Sequence, residues 1–210
     1  MDDWLTVILA AGSGQRMQSS VPKVLHNICG KEIIRHVIDN VYELHSGQII
    51  VVVSPDHISQ IKEIVHRDCI FILQDMPLGT ADALFQVKDH LSEDFENLLV
   101  VYGDNVLDDG NLMNAVMKRH IDTDADITLL AKVLDIPQGY GRIIKNESGD
   151  IVKVLEQKEL SAGQESIKEV NGGIYCFRVN WLKNNLDKVT KSKISNEFYL
   201  TDLVSIAYEQ

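Results

Sequence analysis

The sequence predicts an α/β fold, a mostly parallel mixed sheet with helices on both faces and a β-rich second half. Three observations predict it. Short, nearly continuous apolar runs (Trp4 to Ala10, Gln48 to Val53, Cys69 to Leu73, Leu98 to Tyr102) have the pattern of strands buried on both faces. Segments of helical period lie between them, which is the rhythm of right-handed βαβ units. After about residue 125 the rhythm changes to strand-like runs separated by turn residues.

In chain order, the first strand, Trp4 to Ala10, leads into a glycine-containing loop. A helix is predicted over Glu32 to Leu44, where Ile33, Ile34, Val37, Ile38, Val41 and Leu44 follow the 3.6-residue period and leave Arg35, Asp39, Asn40 and Glu43 for water. After the strand Gln48 to Val53, weaker helical patterns cover Asp56 to His66, Thr80 to His90 and Asn111 to His120, interleaved with Cys69 to Leu73 and Leu98 to Tyr102. The later strands are Asp126 to Val133, Gly141 to Lys145, Ile151 to Leu155 and Val170 to Val179. The turn Asn146 to Asp150 (NESGD) reads as a hairpin tip in which Gly149 supplies a positive φ. No repeat or linker interrupts the chain, so one domain over residues 1–210 is expected, with halves at about 1–125 and 126–210.

With 45% hydrophobic and 24% charged residues, the chain has the composition of a folded globular protein. Its net charge of −11 argues against a surface that binds nucleic-acid phosphates and leaves room for a small anion held by a local positive pocket. Cys29, Cys69 and Cys176 are scattered and form no CxxC pair, so neither a disulfide framework nor a zinc site is expected. The histidines lack ligand spacing, and no apolar run approaches the roughly 18 residues of a membrane span. A cytoplasmic protein with no membrane partner follows as the expectation.

Ligands of open parallel sheets sit outside the carboxyl ends of the strands, so the loops there carry the functional reading. In LAAGSGQRMQSSVPKVL, Leu9 to Leu25, Gly12 and Gly14 let backbone N–H groups approach an anion, and Arg16 and Lys23 can neutralise phosphate charge. That suits a nucleoside triphosphate, although Met17 stands where GxGxxG has its third glycine; a turn with incidental basic residues explains this piece alone equally well. In QDMPLGTA, Gln74 offers donor and acceptor to a base edge, Gly79 permits close approach, and Thr80 either caps a helix or meets the ligand. In YGD, Asp104 ends a strand after a glycine and can hold Mg²⁺ through one carboxylate, while Asp108 and Asp109 read as caps of the next helix. Gly141, Glu156 and Asn171 lie in or beside later strands, where a carboxylate and an amide can bind sugar hydroxyls or an acetamido group; taken singly they read as turn or exposed strand residues.

The ordered set LAAGSGQRM, PKVLH, QDMPLGTADAL, VVYGD, GYGRI, VLEQKE, EVNGGIY and NEFYLTD resembles the sugar-nucleotide pyrophosphorylases, a nucleotidyltransferase family. The resemblance is greatest to the uridylyltransferase domain of the bacterial bifunctional N-acetylglucosamine-1-phosphate uridylyltransferase/glucosamine-1-phosphate acetyltransferase, and it runs from about residue 4 to residue 208. It implies the Rossmann-like nucleotide-diphospho-sugar transferase fold with a sugar-binding second half. It implies nucleotide contacts at Leu9, Ala10, Ala11, Gly12, Gly14, Lys23, Gln74, Gly79 and Thr80, with Arg16, Lys23 and Asp104 as catalytic residues. Sugar contacts are implied at Tyr102, Gly103, Gly141, Glu156 and Asn171, and Mg²⁺ on Asp104. The reaction so implied forms UDP-N-acetylglucosamine and pyrophosphate from UTP and N-acetylglucosamine 1-phosphate, a step toward peptidoglycan. A relative using another nucleotide or sugar, or a weakly active nucleotide-binding protein, is the alternative. A dehydrogenase is disfavoured, since Lys23 and Asp104 would have no purpose in one.

Three departures qualify the resemblance. Val106 replaces a proline of YGDxPL, and Gly172 replaces the threonine of Asn-Thr-Gly. The sequence ends at Gln210, ahead of the expected second magnesium-binding asparagine, as in a fragment or a shortened stand-alone protein. No hexapeptide repeat is present, so the acetyltransferase activity is not predicted.

Overall fold

The computed structural model describes residues 4–12, 14, 17, 19, 21–44, 47–106 and 110–210. β1 (Trp4–Leu9) pairs in parallel with β4 (Ile49–Val53) on one side and β6 (Asn97–Tyr102) on the other, and β4 pairs in parallel with β5 (Ile70–Leu73). The eight-stranded sheet continues antiparallel through β10 (Glu169–Arg178), β8 (Arg142–Lys145) and β9 (Ile151–Leu155), with β7 (Ile127–Val133) also paired to β10. The predicted α/β class, mostly parallel and mixed, is thus the one found.

Strand alternation puts a core on each face. Ile8, Val51, Leu99 and Cys176 pack beneath α1 (Ile33–Leu44), α2 (Ile58–Ile64) and α4 (Asn111–Thr123). Leu5, Val7, Ile50, Val52, Val100 and Phe177 pack beneath α3 (Thr80–Phe85), α5 (Val179–Asn185) and α6 (Asp202–Tyr208). Burial on both sides is why those strands are apolar at consecutive positions. No helix among the described residues is long and apolar enough to cross a membrane.

β10 is ten residues long and is shared: Ile174 to Arg178 pair with β6, and Val170 pairs with β8 beyond the point where β6 has ended. The β8–β9 hairpin is thereby brought beside the carboxyl end of β6. Its tip is the predicted turn, with Gly149 at φ +90° and its N–H donated to the Asn146 carbonyl.

Several boundaries differ from the sequence expectation. The helix expected over Thr80 to His90 stops at Phe85, because i→i+3 bonds from Val87 and His90 tighten the chain and turn Val87 and Leu91 into the core. Gly110 occupies the N-cap position of α4 and offers no side chain; Asp108 and Asp109 lie outside the described residues. Val179 begins α5 instead of ending β10. The small hairpin of β2 (Asn27–Ile28) and β3 (Lys31–Glu32) was not expected; its turn is made by Cys29 and Gly30, both at positive φ.

On α4, His120 is 1% exposed, with Nδ1 2.9 Å from Thr128 Oγ1, its ring edge-on to Trp4 and Nε2 unpartnered. Burial, with the nearby Arg178 charge, pushes its pKa down to about 4. The unfolded chain therefore takes up this proton first as pH falls, so the contribution of neutral His120 is complete above about pH 6.5 and is lost toward pH 4, at most ~3 kcal/mol. Burial and the Glu159 charge raise Asp202 to about 6, and this acts in the opposite sense, stabilising the fold as pH falls. His120→Gln isolates the histidine: the gap in urea midpoint between wild type and variant should narrow between pH 7 and pH 4.5. A constant gap would refute the argument.

Candidate active site

The loops after β1, β4, β5 and β6 end along one edge. Ala10 N donates to Val52 O at 2.8 Å, Gln74 N to Val53 O at 2.9 Å and Gly103 N to Leu9 O at 2.8 Å. The small residues here answer to close approach: a Cβ on Gly103 would lie 2.9 Å from Ala10 Cβ and 3.1 Å from Leu9 O. Ala10 and Ala11 are buried, whereas Gly12 is exposed with nothing within 4 Å of its Cβ position. Gly14, at φ +62°, would place a Cβ 2.7 Å from Lys23 Cβ, so the glycine loop and the PKVLH segment touch.

Pro22 leads into a single 3-10 turn, Lys23–Leu25, anchored by buried Val24. From it Lys23 Nζ reaches Asp104 Oδ2 at 2.5 Å, both side chains remaining partly open to solvent (40% and 36% exposed). The predicted lysine and the predicted metal-binding aspartate are therefore partners. Arg16 lies outside the described residues. Among the described residues no three His, Cys, Asp or Glu side chains gather into a metal cage. One accessible carboxylate fits Mg²⁺, which commonly takes one or two protein carboxylates and completes its shell with water and substrate phosphates.

Gln74 is buried, and its Nε2 donates to Gly79 O at 3.1 Å and to Asp82 Oδ2 at 2.6 Å, which leaves Oε1 as the atom a base edge would meet. Thr80 does not cap α3. It is the first helical residue, and its hydroxyl accepts the Leu200 N–H at 2.9 Å. Phe198 N donates to Leu78 O at 2.7 Å and Ala81 N to Phe198 O at 3.0 Å, so the NEFYLTD segment is stitched along QDMPLGTA. Phe198 and Thr201 were both missed as site residues in the sequence; Phe198 acts through this stitching and Thr201 through its hydroxyl on Glu156.

On the sugar side, Asn171 is buried, not an exposed strand residue. Its Oδ1 accepts the Gly173 N–H at 2.9 Å, its backbone N–H donates to Gly141 O at 2.9 Å, and its side-chain amide also interacts with the Tyr102 and Tyr175 hydroxyls. Glu156 Oε1 accepts from Thr201 Oγ1 at 3.1 Å and lies 3.5 Å from where a Cβ on Gly141 would stand. Burial, above all, raises the Glu156 pKa, the Thr201 bond lowers it, and Glu159, Asp202 and Glu197 raise it further. Burial and the Glu156 charge likewise raise Tyr102, whose ring packs 3.1 Å from the Cβ position of Gly173. Tyr175 Oη is buried near Tyr102 and Asn171 without a well-formed hydrogen bond.

The glycine at 172 has a local reason: a Cβ there would sit 2.7 Å from Leu130 Cγ and 2.8 Å from Leu130 O. Gly172 O accepts from Asn105 Nδ2 at 2.8 Å, and Lys132 Nζ approaches Asn105 Oδ1 at 3.4 Å. Asn105 therefore ties the residue after Asp104 to the β10 bulge. No sequence signal marked it. A surface cavity of about 230 Å³ lined by Arg35, Asp39 and Arg67 includes none of these residues, and its charges are already paired with one another and with Glu32.

The Tyr102 to Asn105 segment thus carries the Lys23–Asp104 pair at Asp104 and meets β10 through Tyr102 against Gly173 and Asn105 on Gly172 O. A family model described as nucleotidyl transferase matches residues 5–210. The chain belongs to this family. This nucleotidyl transferase is 40% identical over 200 residues to bifunctional protein GlmU of Geobacillus thermodenitrificans, covering 95% of this chain and 43% of that protein. It is 35% identical over 201 residues to bifunctional protein GlmU of Desulfotalea psychrophila, covering 96% and 59%. The chain thus spans about half the length of the curated relatives it matches. Among nucleotidyl transferases of known structure, a Bacillus anthracis protein named as a glucose-1-phosphate thymidylyltransferase, crystallised with sucrose, shares the fold with a TM-score of 0.80. That match has 18% identity and covers 98% of this chain and 83% of the other.

Proposed function

We propose that this nucleotidyl transferase couples UTP to N-acetylglucosamine 1-phosphate, releasing UDP-N-acetylglucosamine and pyrophosphate. The observation that carries the reading is the Lys23–Asp104 pair, which stands where the glycine loop meets the end of β6, next to Tyr102, whose ring packs on Gly173 of β10. A phosphate oxygen of the sugar phosphate attacks the α-phosphorus in line; that P–O bond forms, the α–β P–O bond breaks, and its electron pair leaves on pyrophosphate. The nucleophile is already anionic, so no strong general base is needed and positioning with charge neutralisation carries the rate. Lys23 supplies a positive charge to the phosphates once they draw it from Asp104. Asp104, thereby released, would hold Mg²⁺, which when bound would neutralise phosphate charge. Gln74 Oε1 would accept from the base, and Asn171 Nδ2 and Glu156 would contact the sugar as donor and acceptor.

A panel of nucleoside triphosphates against sugar 1-phosphates with Mg²⁺, read by pyrophosphate release, tests this. UTP with N-acetylglucosamine 1-phosphate should give kcat/KM at least roughly tenfold above any other pair. Faster turnover with another nucleotide or sugar would reassign the substrate, and UTP binding without turnover would reduce the protein to a nucleotide binder.

A further inference from the structure

Arg142 follows Gly141 at the start of β8 and is 1% exposed. Among the described residues its partners are all neutral: Nη1 donates to Tyr140 O, and Nη2 to Gln157 Oε1 at 3.1 Å and Glu165 O at 3.4 Å, while Nε has none. Gln157 Oε1 is shared, since it also accepts the Gly139 N–H at 2.9 Å. A guanidinium enclosed by neutral acceptors is costly compared with an apolar side chain of similar volume. Packing β8 on β9 does not demand it, because Ile143, on the other face, already packs with Val154 and Val204 of α6. What Arg142 joins is loops. One carries Gly139 to Gly141, and the other begins at Glu156 and runs through Gln157 to Glu165.

We propose that Arg142 is a positioning residue for sugar recognition: with Gln157 it clamps the Gly139 to Gly141 loop against the segment after Glu156, fixing Gly141 and Glu156 relative to each other. The geometry it protects is tight, with Glu156 Oε1 3.5 Å from the Cβ position of Gly141 and Gly141 O bonded to Asn171 N. Nothing in the clamp touches Lys23, Asp104 or Gln74, so its loss should be felt by one substrate only. The kinetic form of this inference rests on the sugar-phosphate reading above.

Arg142→Met should raise KM for the sugar 1-phosphate roughly tenfold or more, with KM for UTP and kcat within about threefold. Gln157→Ala, which keeps the arginine, should give the same selective rise at smaller size, and Gln157→Glu, which keeps an acceptor for both donors, should stay near wild type. Equal rises in both KM values, or an unchanged sugar KM in Gln157→Ala, would overturn the proposal, and the second holds even if Arg142→Met does not fold. Hydrogen exchange on the full chain separates this from the substrate reading. Segments 139–145 and 155–160 should exchange about tenfold faster in Gln157→Ala with 9–14 and 102–105 unchanged, whether or not any sugar phosphate turns over. Unchanged exchange at 139–145 would refute the clamp alone.

Discussion

Alanine at Lys23 or Asp104 is expected to lower kcat/KM by roughly 10²- to 10³-fold, the scale of losing one transition-state electrostatic contact. The loss should not come through the fold. The pair is partly solvent-exposed at 2.5 Å, and exposed ion pairs typically contribute about 0–1 kcal/mol, so the midpoint of urea unfolding should barely move. Lys23→Ala leaves the Asp104 carboxylate facing the substrate phosphates without its cation, whereas Asp104→Ala leaves Lys23 and removes the carboxylate proposed for Mg²⁺. The double variant removes both the charge that helps and the charge that repels. Its loss should therefore be smaller than the product of the two single losses, the behaviour of side chains acting as one unit. Steady-state kinetics on the three variants check this, with Asp104→Ala also needing about tenfold more Mg²⁺ for half-maximal rate. A single variant within threefold of wild type would remove that residue from the proposed chemistry.

What could be read ahead of the structure follows from the range of the forces involved. β4 was legible because Ile49 to Val53 are all buried, and α1 because its buried residues keep the helical period. Lys23 and Asp104 could be singled out as charged residues beside strand ends, but their pairing spans 81 positions and exists only because β1 lies next to β6. α5 and α6 have seven residues each, too few for a periodic signal to separate from the flanking strands. Thr80 illustrates a deeper limit. A threonine after glycine before an apolar run suits a helix cap, yet its hydroxyl serves Leu200, 120 positions away. Arg142 and Asn105 were silent for the same reason, since both act on backbone carbonyls that the tertiary fold delivers.

Gly79→Ala should be the most damaging single-methyl change among the loop glycines, and the contrast with Gly12→Ala gives its cause. Gly79 sits at φ +115° and ψ 176°, a region that essentially only glycine enters. A Cβ there would also fall 2.3 Å from Phe198 O and 2.7 Å from Phe198 N, backbone atoms that cannot swing aside as a side-chain tip can. Strain of about 1–3 kcal/mol from the dihedrals alone adds to whatever the displaced backbone loses. Relief requires residues 78–81 to part from 198–200, breaking bonds from Phe198 N, Ala81 N and Leu200 N. Parting them also disturbs Gln74, whose amide donates to Gly79 O, and Glu156, held by Thr201 of the same segment. The stability loss should therefore come to about 3 kcal/mol or more, with weaker binding of both UTP and sugar phosphate. Gly12→Ala meets nothing within 4 Å of its Cβ, so it should leave the unfolding midpoint within about 0.5 kcal/mol of wild type. Any effect of Gly12→Ala should then appear as a raised KM for UTP, because Gly12 stands in the loop proposed to hold the nucleotide. Equal destabilisation by the two substitutions would contradict the close packing of Gly79 on Phe198.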